Sequence, residues 1–173
     1  EARPHHPALA PGLLGLIIFS YLCNVSIYSV RLKHVAILDV VSLSFGFVLR
    51  VLAGCAATGV PPTTWLLNCT FFLAMFLAFG KRLGERRTLA SPEQAAAART
   101  VQNAYTTDIL RMAVVVTAVA ALLTYAGYVQ TKSDTYRIGV NLLWFTVLPA
   151  TFAIFRCLLL LEHGRYDVPT VLA

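Results

Sequence analysis

An all-α, polytopic transmembrane helical bundle is the fold class this sequence predicts, and two observations predict it. Hydrophobic residues make up 58% of the 173-residue chain and charged residues only 13%, with a mean hydropathy of +0.71; a soluble domain carries about 45–50% apolar and about 25% charged residues. A soluble chain of this length has too little interior to hide so much apolar surface, so lipid is part of its solvent. The apolar residues also fall into runs that match the about 20 residues a helix needs to cross the hydrocarbon core. Spans are predicted near 12–30, 36–57, 62–80, 109–129 and 138–161, with 1–11 read as an extracytoplasmic segment and 162–173 as a cytoplasmic one.

The first span is followed by Arg31, Lys33 and His34. The second carries Asp39 and Arg50 and ends in Ala53, Gly54, Ala56, Ala57 and Gly59, small residues that let a neighbouring helix approach closely. The third runs into a loop, 81–108, that holds Lys81, Arg82, Arg86, Arg87 and Arg99. Within that loop Ser91 and Pro92 open an Ala-rich stretch that reads as a short interfacial helix, either a lid or a solvated connector. Tyr105 and Asp108 precede the fourth span, and the fifth contains Pro149 and Arg156, the latter close enough to the end to snorkel. The alternate loops, Thr58 to Pro61 and Gln130 to Tyr136, hold only Lys132 and Asp134 between them. By the positive-inside rule the basic loops are cytoplasmic, with the N-terminus outside and the C-terminus inside.

The net charge of +6 belongs to those loops rather than to an aromatic-interleaved basic patch, so nucleic acid is not expected as a partner and membrane lipid is. Cys23, Cys55, Cys69 and Cys157 are scattered through apolar runs, which signals neither a zinc site nor a disulfide framework but small apolar side chains. His5 and His6 have no further ligands at a usable spacing. The sequence opens without Met and without a signal-peptide pattern, which raises the expectation that it begins partway through a longer protein. A homo-oligomer is left open.

Asp39 and Arg50 are eleven residues apart, within roughly 20° of whole helical turns, so they share one face about 16 Å apart with Gly46 between them. A charge inside a span is costly unless it meets protein, water or a partner, which makes both functional candidates, with simple anchoring at the two interfaces as the alternative. On the cytoplasmic side Tyr28, Lys33 and Asp39 gather with Lys81, Arg82 and Glu85, and with Tyr105 and Asp108. Lys81 and Glu85 are four apart and could form one turn's ion pair. Two basic clusters at a bundle mouth are also what a diphosphate needs, since Lys and Arg supply charge and donors to phosphate oxygens.

Tyr28-Ser-Val-Arg-Leu-Lys33, then Asp39, then Leu49-Arg50-Val-Leu-Ala-Gly54 resembles the Tyr-x-x-x-Leu-Lys…Asp…Leu-Arg-x-x-Ala-Gly stretch of the UbiA superfamily of intramembrane prenyltransferases. Lys81-Arg82-x-x-Glu85 stands where that superfamily has its second Asp-rich motif, in the form typical of the decaprenyl-phosphate phosphoribosyltransferase branch. Arg99 through Tyr105 to Tyr125-Ala-Gly-Tyr128, and Phe155-Arg156 through Pro169-Thr-Val-Leu, are similar to that branch as well.

The resemblance implies a nine-helix fold around a cavity open to lipid, in which Mg²⁺ and acidic residues hold a diphosphate. It implies phosphoribosyl pyrophosphate as donor, a polyprenyl phosphate such as decaprenyl phosphate as acceptor, and a product that feeds cell-wall arabinan. Lys33, Asp39 and Lys81 would be catalytic, while Tyr28, Lys33, Arg50, Lys81, Arg82, Glu85 and Tyr105 would bind phosphate or sugar. The superfamily's first motif, Asn-Asp-x-x-Asp-x-x-x-Asp, is not found here, so its metal ligands are not expected in this chain. The spans match helices four to eight, and the chain is expected to be inactive in isolation. Prenyl transfer to an aromatic acceptor, a transporter and a noncatalytic membrane subunit are the competing readings.

Overall fold

Each apolar run becomes a helix, because in lipid a segment must satisfy its own backbone hydrogen bonds. The computed structural model describes residues 11–35, 37–88, 106–131, 137–138 and 140–162. Among them are α1 (Pro11–Val30), α2 (Leu38–Thr58), α3 (Thr64–Thr88), α4 (Thr107–Thr131) and α5 (Val147–Glu162). Five helical segments are long and apolar enough to cross a membrane, the last counted from Leu142. The interfacial helix expected near Ser91, Tyr105 and both terminal segments lie outside the described residues.

Local chemistry sets the ends of the helices. Gly59 closes α2 in the left-handed conformation at φ 69°, where a side chain would be strained, and Val60 N–H donates back to the Cys55 carbonyl at 3.1 Å. Pro61 and Pro62 then keep the chain extended. Thr63 and Thr106 cap α3 and α4, their hydroxyls accepting from Leu66 N–H and Ile109 N–H, each at 3.3 Å. Between α1 and α2 a short 3-10 turn, Leu32–His34, leads to Ile37 at φ 69°. A β-branched residue in that region is strained, and the turn it closes holds Lys33 and Asp39 on its two sides.

Two helix ends lie well away from the expected span ends. The third continues past 80 to Thr88, because no proline intervenes and ion pairs at three- and four-residue spacing support the added turns across Gly80 and Gly84. The fifth does not start near 138: Arg137–Ile138 and Val140–Asn141 pair as a minimal antiparallel ladder, and Leu142–Thr146 form a 3-10 turn before α5. That turn and α5 together reach about 34 Å, enough to cross without the residues before them. Pro149 falls in the first turn of α5, where proline is best tolerated in a helix.

The helices pack in chain order, α1 on α2, α2 on α3 and α3 on α4, with the α3–α4 seam the most extensive and α5 against α3 and α4. Val40, Phe76, Phe79, Leu83, Leu110, Val114, Ala118 and Leu161 form the buried core. It lies toward the end of the bundle where α2 and α4 begin and α3 and α5 finish. Buried hydroxyls turn back on their own helices: Ser44 donates to the Val40 carbonyl at 2.8 Å and Thr117 to that of Ala113 at 2.7 Å. Of the small residues at the end of α2, Ala56 is buried but Gly54 faces open space. The close approach occurs instead at Gly127 of α4, where an added Cβ would run into the Trp65 ring of α3.

Gly127→Ala is therefore expected to destabilise the protein by about 1–3 kcal/mol through overpacking. Thermal unfolding in detergent checks this, and adding Trp65→Ala to the same chain should recover part of the loss.

Candidate functional site

The extra turns of α3 carry Lys81, Arg82 and Glu85 past the end of the predicted span and turn them toward the start of α2. Arg82 Nε donates to Asp39 Oδ2 at 3.1 Å across the helix pair, and Arg82 Nη1 donates to Glu85 Oε2 at 3.0 Å within α3. Lys81 Nζ stands 3.9 Å from Glu85 Oε1. The side chains grade from open to enclosed: Lys81 is 68% exposed, Glu85 34%, Arg82 10% and Asp39 0%. The line of alternating charges thus runs from solvent at Lys81 to a fully enclosed carboxylate at Asp39.

Burial decides what each member is worth. The exposed Lys81–Glu85 pair contributes about 0–1 kcal/mol, since water already solvates both groups. Asp39 and Arg82 have left water, and removing either partner strands a buried charge at a cost of about 3–5 kcal/mol. Asp39 therefore fixes the position of the guanidinium.

Tyr28 is close enough to Arg82 to act on it electrostatically. It also stands in the wall of a groove of about 250 Å³ between α1 and α2, lined as well by Tyr21, Asn24, Ser42, Gly46, Phe47 and Arg50. Asn24 and Ser42 clamp this seam in both directions: Asn24 Nδ2 donates to the Ser42 carbonyl at 3.0 Å, and Ser42 Oγ donates to Asn24 Oδ1 at 2.9 Å. Gly46 leaves room for Asn24, whose amide a Cβ there would meet at 3.4 Å. Arg50 donates to the Tyr21 hydroxyl at 2.7 Å and lies over the Tyr21 and Phe47 rings at 5.2 and 5.1 Å.

The structure brings together Asp39, Lys81, Arg82 and Glu85, with Tyr28 beside them. Lys33 is half-buried in the 3-10 turn that precedes α2 and is not brought into this bonded network. Arg50 belongs to the far part of the groove and is not brought to the charged end. Asp39 and Arg50, which share a face of α2, engage different helices, Asp39 reaching α3 and Arg50 reaching α1. Asn24, Ser42 and Tyr21 were not singled out from sequence. Their available signal was a polar side chain inside an apolar span, which must find a partner there. Both carboxylates of the charged end are engaged by Arg82, and the described residues include no group of three acidic, His or Cys side chains able to hold a metal ion. These residues by themselves do not fit a magnesium site. The cysteines are partly buried free thiols.

No protein-family profile matches the chain. Among curated proteins it is 31% identical to the decaprenyl-phosphate phosphoribosyltransferase of Mycobacterium tuberculosis over 167 residues, 95% of this chain and 53% of that protein. It is 28% identical to the enzyme of that name from Mycolicibacterium smegmatis over 166 residues, 92% of this chain and 52% of the relative. It is 29% identical to that of Corynebacterium glutamicum over 167 residues, 92% of this chain and 48% of the relative. The chain spans about half the length of the curated relatives it matches. They carry the name of the branch that the Lys81-Arg82-x-x-Glu85 pattern resembles.

The buried pair makes a direct forecast. Asp39→Ala should lower stability by about 3–5 kcal/mol, while Asp39→Leu combined with Arg82→Met should return most of it, because an apolar pair replaces a buried ionic one at little cost. Unfolding of the single and double variants measures both.

Proposed function

We propose, on the premise that this chain is a homologue of the decaprenyl-phosphate phosphoribosyltransferases over about half their length, that it forms the phosphate-binding part of an integral membrane transferase. The reaction is transfer of phosphoribose from phosphoribosyl pyrophosphate to a polyprenyl phosphate, decaprenyl phosphate by analogy with the relatives' names, as a precursor of cell-wall arabinan. The observation that carries this reading is the cationic pair at the open end of α3, with Arg82 held from behind by Asp39 and Lys81 two-thirds exposed beside Glu85.

In the transfer, an oxygen of the acceptor phosphate forms a bond to the anomeric carbon as the bond from that carbon to the pyrophosphate oxygen breaks. Negative charge accumulates on the departing diphosphate. Donors fixed before the reaction stabilise such charge most effectively, because nothing has to reorganise as it develops. Arg82 offers a planar guanidinium locked by a buried carboxylate, and Lys81 and Lys33 offer mobile point charges. Tyr28, at the junction of the charged end and the groove, would orient the sugar. The groove running on toward Arg50 would take the first part of the acceptor chain. Magnesium would enter with the donor diphosphate. The charged end faces the cytoplasm in this reading, as the basic loops on that side indicate.

The full-length form of the protein should convert phosphoribosyl pyrophosphate and decaprenyl phosphate in the presence of Mg²⁺. In the same assay Lys33→Ala and Lys81→Ala should each lose about tenfold to a hundredfold in kcat/KM, the loss expected for one charge-assisted contact to phosphate. Unchanged activity in both variants removes these residues from the site. Turnover of a prenyl diphosphate with an aromatic acid, and none of the phosphoribosyl donor, replaces the proposed reaction with prenyl transfer.

A further inference from the structure

Glu85 is the one member of the charged end whose position the proposed function does not explain. Its two oxygens are divided between two cations, Oε2 on Arg82 Nη1 at 3.0 Å and Oε1 facing Lys81 Nζ at 3.9 Å. A carboxylate that spans two cations in this way occupies the place where an incoming phosphoryl group would accept. We infer that Glu85 is an internal occupant of the anion site, holding Lys81 and Arg82 in the resting protein until a diphosphate displaces it. The inference rests on the reading of Lys81 and Arg82 as a diphosphate site.

Three features support it. Glu85 and Asp39 flank Arg82 very differently: Asp39 is enclosed, whereas Glu85 is one-third exposed and lies on the side from which a ligand arrives. Displacing Asp39 would strand a buried charge, but displacing Glu85 returns a carboxylate to water, where it is well solvated. The exchange is therefore one-sided, and only Glu85 can leave. Charge points the same way. Each cation of the pair meets a carboxylate, Arg82 both Asp39 and Glu85, and Lys81 Glu85. Moving Glu85 aside uncovers a net positive pair for an anion that can span both cations, as a diphosphate can and a single monovalent anion cannot. Finally, Lys81 is two-thirds exposed on a flexible stem and can turn to follow the new anion, while Arg82 stays fixed.

The experiment measures binding of pyrophosphate and of phosphoribosyl pyrophosphate, each with and without Mg²⁺, to the full chain in lipid nanodiscs. Wild type is compared with Glu85→Gln and Glu85→Asp. Glu85→Gln removes the competing charge; Glu85→Asp keeps the charge but is too short to span both cations. Displacement predicts that both variants bind tighter than wild type by roughly threefold to fivefold, the range for losing one weak exposed ion pair. Tightening in the Gln variant alone overturns the inference, because a general electrostatic effect then suffices. Weaker binding in both variants, confined to the samples with Mg²⁺, also overturns it and makes Glu85 a ligand of the metal-bound donor. If wild type and both variants bind neither compound, the diphosphate reading of Lys81 and Arg82 fails and the inference falls with it. Binding by wild type with no change in either variant removes the inference alone.

Discussion

The ion pair between Asp39 of α2 and Arg82 of α3 is the contact on which the rest of this structure depends. It bonds two helices across the charged cluster, and its carboxylate is wholly enclosed. An enclosed charge tolerates little displacement, since losing its partner costs more than most packing defects. It therefore sets where the start of α2 stands against the last turns of α3. From that follow the position of Lys33, in the turn just before α2, and the neighbourhood of Tyr28, at the end of α1.

The two ends of the bundle are held by different means. At the charged end, the apolar core of Val40, Phe79, Leu83, Leu110 and Leu161 forms in the same helices as the ion pair, which is itself nearly closed to water. Low polarity around the pair strengthens its attraction and raises the penalty for disturbing it. At the opposite end, α3 and α4 meet in close contact, the Trp65 ring lying over the bare backbone of Gly127. This division suits a membrane protein, where water does not drive helices together and close packing or internal polar bonds must do so. The strained Ile37 lies at the charged end, in the turn that the ion pair over-determines.

Functionally, rigidity and mobility are assigned to different cations. Arg82 is fixed between two carboxylates, while Lys81 extends into solvent from the adjacent position of the helix. A fixed guanidinium presents its donors without reorganising, and a mobile ammonium follows charge as it moves. The α1–α2 groove begins at Tyr28, beside this pair, and runs into the membrane toward Arg50 and Tyr21. A phosphate headgroup with an apolar chain has the same division between a charged end and a lipid-soluble one.

Much was legible from residues alone. Span number, all-helical class, the gathering of basic residues on alternate loops and the Lys81–Glu85 spacing follow from local composition and helical period, because lipid imposes length and internal bonding on every span. The likeness to the phosphoribosyltransferase branch was legible in Tyr28, Lys33, Asp39, Lys81, Arg82 and Glu85, and the curated relatives agree with it. Pairing between helices was not legible. Helical period puts Asp39 and Arg50 on one face of α2, but it says nothing about which neighbour each one meets. Only the packing of α3 against α2 sends Arg82 to Asp39, and only the packing of α1 sends Tyr21 to Arg50. The helix end at Thr88 was not legible for a related reason, since hydropathy marks where lipid ends and not where a helix does. Sequence by itself determined that this chain forms helices long and apolar enough to cross a membrane, with acidic and basic residues gathered toward one end. Tertiary structure decided which charges are buried, because burial is a property of neighbours that no local pattern contains.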